Sequence, residues 1–306
     1  MVFLFLWSFL RILLWVVAGL ILLAGLLFLT YYAQLFRANG RMWVQGERRR
    51  YLLYVPRNYR RGTLTPLVIS LHGYAEWPAH QRDISGWNRL ADRYGFIVVY
   101  PSGTGFPRHW RASGTADSPK DVDFIAALID KLSARYSIDP ARIYANGLSN
   151  GGGMSFMLAC TLADRLAAVG SVSGAYLFPW NQCHPQRSVP LIAFHGTADP
   201  IVPFTGGPSR SFALPFPSIP AWIAEYAAHN GCAGAPQTLL STHEVTGLSY
   251  AGDARGGDVV FYEIAGGGHS WPGSRSFMPY RLVGRTSQAL DATELIWQFF
   301  VQHPRK

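Results

Sequence analysis

A serine framed by two glycines is the residue whose setting points most directly to chemistry. Ser149 stands in the run Gly147-Leu148-Ser149-Asn150-Gly151, after the segment 142–145, which is typical of a strand, and before a segment with helical spacing. A G-x-S-x-G run between a strand and a helix indicates a nucleophile elbow, a sharp turn that exposes the serine hydroxyl. Such a serine attacks acyl groups, so we interpret Ser149 as a nucleophile.

Two later residues have the types and positions needed to activate this serine. A base must take the hydroxyl proton, and a third group must fix the tautomer of the base. Asp199 follows the apolar run 191–194 and His269 follows the run 259–264, in the chain order serine, acid, histidine that accompanies this elbow. Because the carboxyl ends of parallel strands meet at one sheet edge, we predict His269 as the base and Asp199 as its orienting acid. His195 is too close to Asp199 in the chain for that role and is interpreted as structural.

Acyl transfer also needs hydrogen-bond donors for the oxyanion that forms in the transition state. The backbone amide after the nucleophile belongs to Asn150, and the second donor is expected in the loop after the run 66–71. Gly73 gives this loop freedom to turn its amides inward, and the amide of Tyr74 is the candidate. The alternative is that this loop is an ordinary strand-to-helix turn. If it does donate, the inward amide could also be that of the residue directly before or after Tyr74.

Strands and helices alternate along the chain and are expected to position these residues. Short apolar or β-branched runs predict strands at 42–45, 51–55, 66–71, 96–100, 142–145, 167–172, 191–194 and 259–264. Helical spacing predicts helices at 87–94, 120–136, 154–162, 221–229 and 289–301. The alternation predicts an α/β fold with a mostly parallel central sheet covered by helices on both faces. The segment 203–220, rich in proline, glycine and phenylalanine, is predicted as an irregular, lid-like insertion.

The N-terminal segment has the length and composition of a membrane span. Residues 12–33 are uncharged and almost entirely apolar, and about 20 such residues in a helix cross the hydrocarbon layer. A cleaved signal peptide is the alternative, although its apolar region is usually shorter. We predict a membrane anchor over residues 1–36 and a catalytic domain over 37–306. Arginines after the span favour a cytoplasmic domain under the positive-inside rule, but long domains override that rule, so orientation stays open.

Charge and cysteine content exclude some classes of partner. The 306 residues carry a net charge of +9, with much of the excess between Arg37 and Arg61. No long basic tract with interleaved aromatics is present, so no nucleic-acid partner is expected; anionic lipid headgroups or plain solvation fit the basic stretch better. Three cysteines without metal-type spacing predict no metal site and at most one intramolecular disulfide, which leaves the redox compartment open.

Three motifs together resemble a known family. The stretches 139–154 (DPARIYANGLSNGGGM), 195–203 (HGTADPIVP) and 266–273 (GGGHSWPG) are similar to the polyhydroxybutyrate depolymerase and feruloyl/acetyl-xylan esterase family of the α/β-hydrolase superfamily. The resemblance implies an α/β-hydrolase fold and a periplasmic or extracellular carboxylic-ester hydrolase without cofactor. It also implies that Ser149, Asp199 and His269 form the triad and that Trp271 walls the acyl site. Trp110 could line a groove or be buried packing.

The resemblance leaves the substrate open, because the loops that select it differ from those of the family. The stretch 109–114 replaces a family segment, and the partner that the family implies for Cys232 near residues 250–252 is absent. Short-chain, hydroxycinnamoyl, acetyl-sugar and polyhydroxyalkanoate esters all fit a serine esterase. One alternative is an acyltransferase that uses the same triad with a sugar or lipid acceptor, and another is a membrane-tethered, non-catalytic binding protein. The sequence does not indicate an oligomeric state.

Overall fold

The chain forms two compact units, Met1–Arg37 and Ala38–Lys306. The computed structural model describes residues 2–209, 215–252, 256–275 and 278–306. The first unit is a single helix, α1 (Val2–Leu35). Its stretch Trp7–Ala33 has a mean hydropathy of 2.9 and is long and apolar enough to cross a membrane, a property that signal sequences near an N-terminus share.

The second unit alternates strands and helices. Its described strands are β1 (Gly40–Val44), β2 (Glu47–Tyr54), β3 (Thr65–Leu71), β4 (Ile97–Pro101), β5 (Ile138–Leu148), β6 (Ala168–Val172), β7 (Leu191–Gly196), β8 (Gln237–Ser241), β9 (Val245–Tyr250) and β10 (Val259–Ile264). Its described helices are α2 (Pro78–Ser85), α3 (Trp87–Tyr94), α4 (Pro119–Arg135), α5 (Asn150–Thr161), α6 (Ile219–His229), α7 (Tyr280–Val283) and α8 (Ala292–Gln302), with a 3-10 turn at Trp180–Gln182.

The described strands form one sheet in the order β1-β2-β4-β3-β5-β6-β7-β10-β9-β8. From β4 to β10 neighbouring strands run parallel, and an antiparallel pair of strands extends each side. The predicted mostly parallel sheet is therefore confirmed. Parallel strands place all their carboxyl ends at one edge, which is where ligand sites form in open α/β sheets.

Each face of the sheet has its own hydrophobic core, because side chains alternate along a strand. Leu67, Ile69 and Leu71 of β3 pack with α4, α5 and α6 in one cluster. Val68 of the same strand packs in the other cluster with α2, α3 and α8, where Phe96 stacks on Trp297 at a ring distance of 4.0 Å. Helices thus cover both faces, as the alternating pattern predicts.

Four of the described helices and strands were not predicted, namely α2, α7, β8 and β9, and several boundaries differ from the predicted ones. Helix α2 has a polar sequence without apolar periodicity, and the hairpin β8–β9 lies at the exposed edge of the sheet, so neither gives the usual pattern. Strand β5 begins at Ile138 and includes Pro140, whereas the strand was predicted to begin at residue 142. The register with β3 shifts there, and proline is tolerated at such bulges.

The predicted insertion at 203–220 is only partly described, because residues 210–214 lie outside the described residues. In the described part, Gly207 and Phe216 form an isolated antiparallel bridge, and the amide of Ile219 donates to the carbonyl of Phe204. The two ends of the segment are thus held together, and its role as a lid stays a prediction.

Candidate active site

Ser149 is the single residue between strand β5 and helix α5. Its backbone lies at φ 56° and ψ −117°, in a region that L-residues with side chains rarely adopt. Its amide donates to the carbonyl of Val172, and its carbonyl accepts from the amides of Gly153 and Ala175, at 2.9, 3.0 and 3.0 Å. Hydrogen bonds to the neighbouring strand and helix therefore hold the strained turn, which is the geometry expected of a nucleophile elbow.

The glycines on both sides of Ser149 are required by close backbone contact. A Cβ on Gly147 would meet the backbone of Gly151, and a Cβ on Gly151 would meet the carbonyl of Leu71 at the end of β3. Helix α5 therefore starts pressed against β3 and β5 at the carboxyl edge of the sheet. This contact explains in physical terms why the sequence has glycine at these two positions.

Asp199 and His269 meet in two loops at the same edge. Strands β7 and β10 pair in parallel, with Gly196 opposite Ile264, so the loops that follow them lie side by side. His269 Nδ1 lies 2.8 Å from Asp199 Oδ2. The other oxygen, Oδ1, accepts from the amides of Ile201 and Val202, each at 2.8 Å. The carboxylate is therefore fixed, and it selects the tautomer of His269 with hydrogen on Nδ1 and a lone pair on Nε2.

Ser149 lies at this edge too, with 5% of its surface exposed, and His269 has 7% exposed. Among the described residues, no hydrogen bond joins Ser149 Oγ to His269. Catalytic hydrogen bonds are often long or misaligned without substrate and shorten in the reactive complex. The structure thus brings together the predicted acid and base, and the serine–histidine contact stays a prediction.

His195 also contacts the acid and was predicted as structural. Its Nε2 lies 2.9 Å from the carbonyl of Val202 and 3.4 Å from Asp199 Oδ2. Because a carbonyl only accepts, Nε2 carries the hydrogen and donates. Burial lowers the pKa of His195, so the ring is neutral at pH 7. A neutral His195 supports the loop of Asp199 and leaves His269 as the ring that can exchange protons.

Burial and charge act in opposite directions on His269. Burial lowers the pKa of the ring, but the charge of Asp199 and the hydrogen bond to it outweigh burial, so the pKa lies above the usual 6.5. Burial likewise raises the pKa of Asp199, and the charge and hydrogen bond of His269 bring it below its usual value. At pH 7 the acid is therefore ionised, as an orienting carboxylate must be.

The raised pKa of His269 predicts the acid limb of the pH profile. A base must be unprotonated to accept the serine proton, so kcat/KM should fall as the pH drops through a pKa above 6.5, by about tenfold per pH unit below it. The measurement is kcat/KM for p-nitrophenyl acetate at closely spaced pH values from acid to neutral. A rate that stays constant well below that pKa would show that His269 is not the base.

The loop after β3 carries the predicted oxyanion donor and is held by several hydrogen bonds. His72 Nδ1 donates to the carbonyl of Gly73 at 2.7 Å, and His72 Nε2 accepts from the amide of Gly103 at 2.9 Å. Burial lowers the pKa of His72 to about 4, so the ring is neutral and structural. The amide of Ala75 donates to the carbonyl of Arg108 at 2.7 Å. Tyr74 lies between these anchored residues, and its amide remains the predicted donor.

Glu76 is a residue of this site that the sequence analysis missed. Its Oε2 accepts from the amide of Gly73 at 2.8 Å and lies 3.2 Å from His80 Nδ1. The carboxylate therefore closes the turn that begins at Gly73, and its charge also contributes to the raised pKa of His269. A carboxylate three residues after Gly73 was a usable signal, because acidic side chains often bind nearby amides in turns.

The side chain of Asn150 ties the elbow to the neighbouring loop, in addition to its predicted amide role. Its Oδ1 accepts from the amide of Trp110 at 2.6 Å, and its Nδ2 donates to the carbonyl of Trp110 at 3.0 Å. The indole of Trp110 then donates to the carbonyl of His72 at 3.0 Å. This chain of contacts links the two sources of predicted oxyanion donors, Asn150 and the loop that follows His72.

The two tryptophans predicted as substrate contacts are buried instead. Trp110 is 1% exposed and Trp271 is 2% exposed, so neither ring has a free face for a ligand in this structure. The indole of Trp271 donates to Thr293 Oγ1 at 2.8 Å. Of the two readings for Trp110, the structure favours packing, and it does not support Trp271 as a wall of the acyl site. Across the described ranges, no three His, Cys, Asp or Glu side chains cluster as metal ligands.

Comparison with known proteins adds a family and a fold. Residues 49–206 match the family Esterase PHB depolymerase. The bifunctional acetylxylan esterase/xylanase XynS20E of Neocallimastix patriciarum is 35% identical over 158 residues, which cover 52% of this chain and 22% of that protein. Feruloyl esterase B of Piromyces equi is 28% identical over 230 residues, which cover 72% of this chain and 42% of that protein. The chain spans less than half the length of each of these two relatives.

The fold is also found among solved structures. An acetyl xylan esterase from Aspergillus awamori aligns with a TM-score of 0.54 at 17% identity, covering 72% of this chain and 89% of that chain. At this identity the likeness concerns the fold alone, and it confirms the α/β-hydrolase fold that the motifs imply.

Proposed function

The chain belongs to the esterase PHB depolymerase family, as its match over residues 49–206 shows, and we propose that it hydrolyses carboxylic esters with Ser149 as the nucleophile. Membership confirms the family resemblance, and the matched residues include the first two of the three motifs, 139–154 and 195–203. The observation that carries the proposal is the 2.8 Å contact between His269 Nδ1 and Asp199 Oδ2 at the sheet edge that also carries the elbow serine. A base oriented by a buried carboxylate beside a strained serine fits acyl transfer.

The reaction runs in two halves. His269 Nε2 takes the proton of Ser149, the serine oxygen attacks the ester carbon, and the amides of Asn150 and Tyr74 hold the oxyanion. His269 then gives the proton to the leaving alcohol, which leaves an acyl-serine. In the second half His269 takes a proton from water, the hydroxide attacks the acyl carbon, and the acid departs as Ser149 regains its proton. Every step uses groups of this chain and water.

The proposed substrates are acetyl and hydroxycinnamoyl esters of sugars, with polyhydroxyalkanoate-type and other short esters as further members of the class. The support comes from the relatives, which are named acetylxylan esterase and feruloyl esterase, and from the family name itself. Within the chain, the buried Trp110 and Trp271 give no aromatic platform for a particular acyl group, so the proposal stays at the level of this ester class.

We further propose that the catalytic unit lies outside the cytoplasm, tethered by α1. The stretch Trp7–Ala33 has the length and apolarity of a membrane anchor. A disulfide joins Cys160 and Cys183, the pairing that the sequence left open. Because disulfides persist mainly in oxidising compartments, the pair favours a periplasmic or extracellular location over the cytoplasmic one. The N-terminal sequence of the protein from the membrane fraction tests whether α1 is retained or cleaved.

The test of the proposed function is ester turnover by the full chain. We expect release of acid and alcohol from p-nitrophenyl acetate, acetylated xylo-oligosaccharides and methyl ferulate, and covalent labelling of Ser149 by a fluorophosphonate. No turnover across this panel together with no labelling would refute the esterase proposal. Transfer of the acyl group to an added sugar or alcohol in preference to water would identify an acyltransferase instead.

A further inference from the structure

One face of the hairpin β1–β2 presents arginine and tryptophan side chains together. Antiparallel pairing places Arg41 opposite Arg50 and Trp43 opposite Arg48. Residues two apart on a strand share a face, and directly paired residues do too. Arg41, Trp43, Arg48 and Arg50 therefore lie on the same face of the hairpin, and all four side chains are exposed. We call these four residues the edge patch.

The opposite face of the same hairpin is packed, so the exposure of the edge patch is not due to a loosely attached strand. Met42 and Val44 pack against the cluster that contains α4. Arg49 is 1% exposed and lies 2.7 Å from the buried carboxylate of Asp121. The hairpin is therefore a fixed part of the sheet, and its pleat directs the edge patch to the solvent side.

The charges of the edge patch are not neutralised within the described part of the chain. No described carboxylate forms an ion pair with Arg41, Arg48 or Arg50. By contrast, Arg49 and Arg111 share the carboxylates of Glu47 and Asp121. Glu47 and Asp121 thus neutralise Arg49 and Arg111, and the three arginines of the edge patch have no ion pair among the described residues.

Protection of a sheet edge explains only part of this composition. Strand β1 is the end of the sheet, and charged side chains on end strands prevent pairing with other chains. An exposed tryptophan has the opposite effect, because it offers apolar surface. Trp43 is 71% exposed, opposite Arg48 and two residues from Arg41 on the same face. Arginine and tryptophan together are typical of surfaces that contact the interface of a bilayer, where the indole enters the headgroup layer and the guanidinium groups meet phosphates.

The chain also keeps the edge patch near a membrane when α1 is inserted in one. The apolar stretch ends at Ala33, and Arg41 follows eight residues later. Eight residues span at most about 29 Å even when fully extended. The tether is thus too short to let the hairpin move far from the lipid surface, which raises the local concentration of headgroups around the patch.

We propose that the edge patch is a docking surface for anionic phospholipid headgroups of the bilayer in which α1 is anchored. The three guanidinium groups would bind headgroup phosphates, and Trp43 would insert among the headgroups. This contact is separate from the insertion of α1 and from the ester chemistry. Its consequence is that the β1 end of the sheet faces the membrane surface.

The experiment uses the unit that begins at Ala38, so that α1 cannot bind the vesicles. This unit folds on its own, since both hydrophobic clusters and all described strands lie within it. Flotation with phosphatidylcholine vesicles is compared with flotation on vesicles containing about 30% phosphatidylglycerol, at an ionic strength of about 0.1 M. We expect binding to the anionic vesicles alone and loss of that binding at high salt. Equal binding to neutral vesicles, or no binding to either, would overturn the proposal.

Matched variants distinguish the contribution of the edge patch to vesicle binding from that of the net charge of the protein. Arg41→Gln/Arg48→Gln/Arg50→Gln should weaken binding to the anionic vesicles on the order of 100-fold, because each basic group near the surface contributes about fivefold. Arg60→Gln/Arg61→Gln/Arg281→Gln removes the same charge from other exposed positions and should retain most of the binding. Trp43→Ala should weaken binding as well. Equal losses in the two triple variants, or a dimer of the unit that forms through this face, would contradict lipid docking.

Discussion

Replacing Ser149 by alanine is expected to reduce ester turnover by about 10⁴- to 10⁶-fold, the loss typical of a removed triad nucleophile. The residual rate would come from substrate binding and from the oxyanion donors. Among the described residues Ser149 Oγ forms no hydrogen bond, and the three backbone contacts of Ser149 do not involve the side chain. The variant should therefore unfold at nearly the wild-type temperature while it loses activity and fluorophosphonate labelling.

Ser173 provides a matched control for this substitution. It lies at the carboxyl end of β6, next to β5, is 1% exposed and has a left-handed backbone at φ 47°, close to the 56° of Ser149. Ser173→Ala removes a hydroxyl from the same kind of backbone at the same sheet edge, and we expect turnover to stay within about threefold of wild type, since surrounding packing is kept. If the Ser149→Ala protein were active and the Ser173→Ala protein inactive, the nucleophile would be Ser173 instead of Ser149.

Much of the site followed from the sequence because its residues stand at strand ends. The run 191–194 before Asp199 is continuous and apolar, and the runs before Ser149 and His269 are mostly apolar, as buried parallel strands are. Once those strands are assigned, their carboxyl ends must share an edge, and the acid and base are brought together without any knowledge of the loops. The same reasoning predicted the sheet and its helical layers.

Features set by contacts between distant loops were not accessible in the same way. The burial of Trp110 depends on the side chain of Asn150, 40 residues away, and on the carbonyl of His72. The burial of Trp271 depends on Thr293 of α8. The sequence left Trp110 open between a groove and buried packing, and the family resemblance implied that Trp271 walls the acyl site. Only tertiary contacts show that both side chains are buried. Helix α2 was missed for a related reason, because packing rather than periodicity stabilises it.

Changing Asp199 to asparagine is expected to be the second most damaging substitution, because it reverses the tautomer of His269. The amides of Ile201 and Val202 both donate to Oδ1, so the amide oxygen of an asparagine must occupy that position. The NH₂ group would then face His269 Nδ1, which must accept instead of donate. The hydrogen of the neutral ring moves to Nε2, the atom that has to take the serine proton, and the base is lost.

The same NH₂ group would also face a second donor. His195 Nε2 carries a hydrogen and lies 3.4 Å from Asp199 Oδ2, so asparagine places donor against donor on this side as well. The loop can respond only by giving up one of its hydrogen bonds, at a cost of about 1–3 kcal/mol in stability. We therefore expect kcat to fall by about 10⁴-fold with a small change in KM, together with a measurable decrease in the unfolding temperature.

Asp258 is the matched control, because it forms the same kind of pair at the other edge of the sheet. Its Oδ2 lies 2.8 Å from His303 Nε2, and it directly precedes β10, whereas His269 follows that strand. Asp258→Asn should lower stability without a loss of kcat beyond about threefold, since only the pair at the carboxyl edge touches the reacting atoms. If the two variants lost kcat to a comparable extent, the effect of Asp199→Asn would come from impaired folding. The proposed role of Asp199 in orienting His269 would then be wrong.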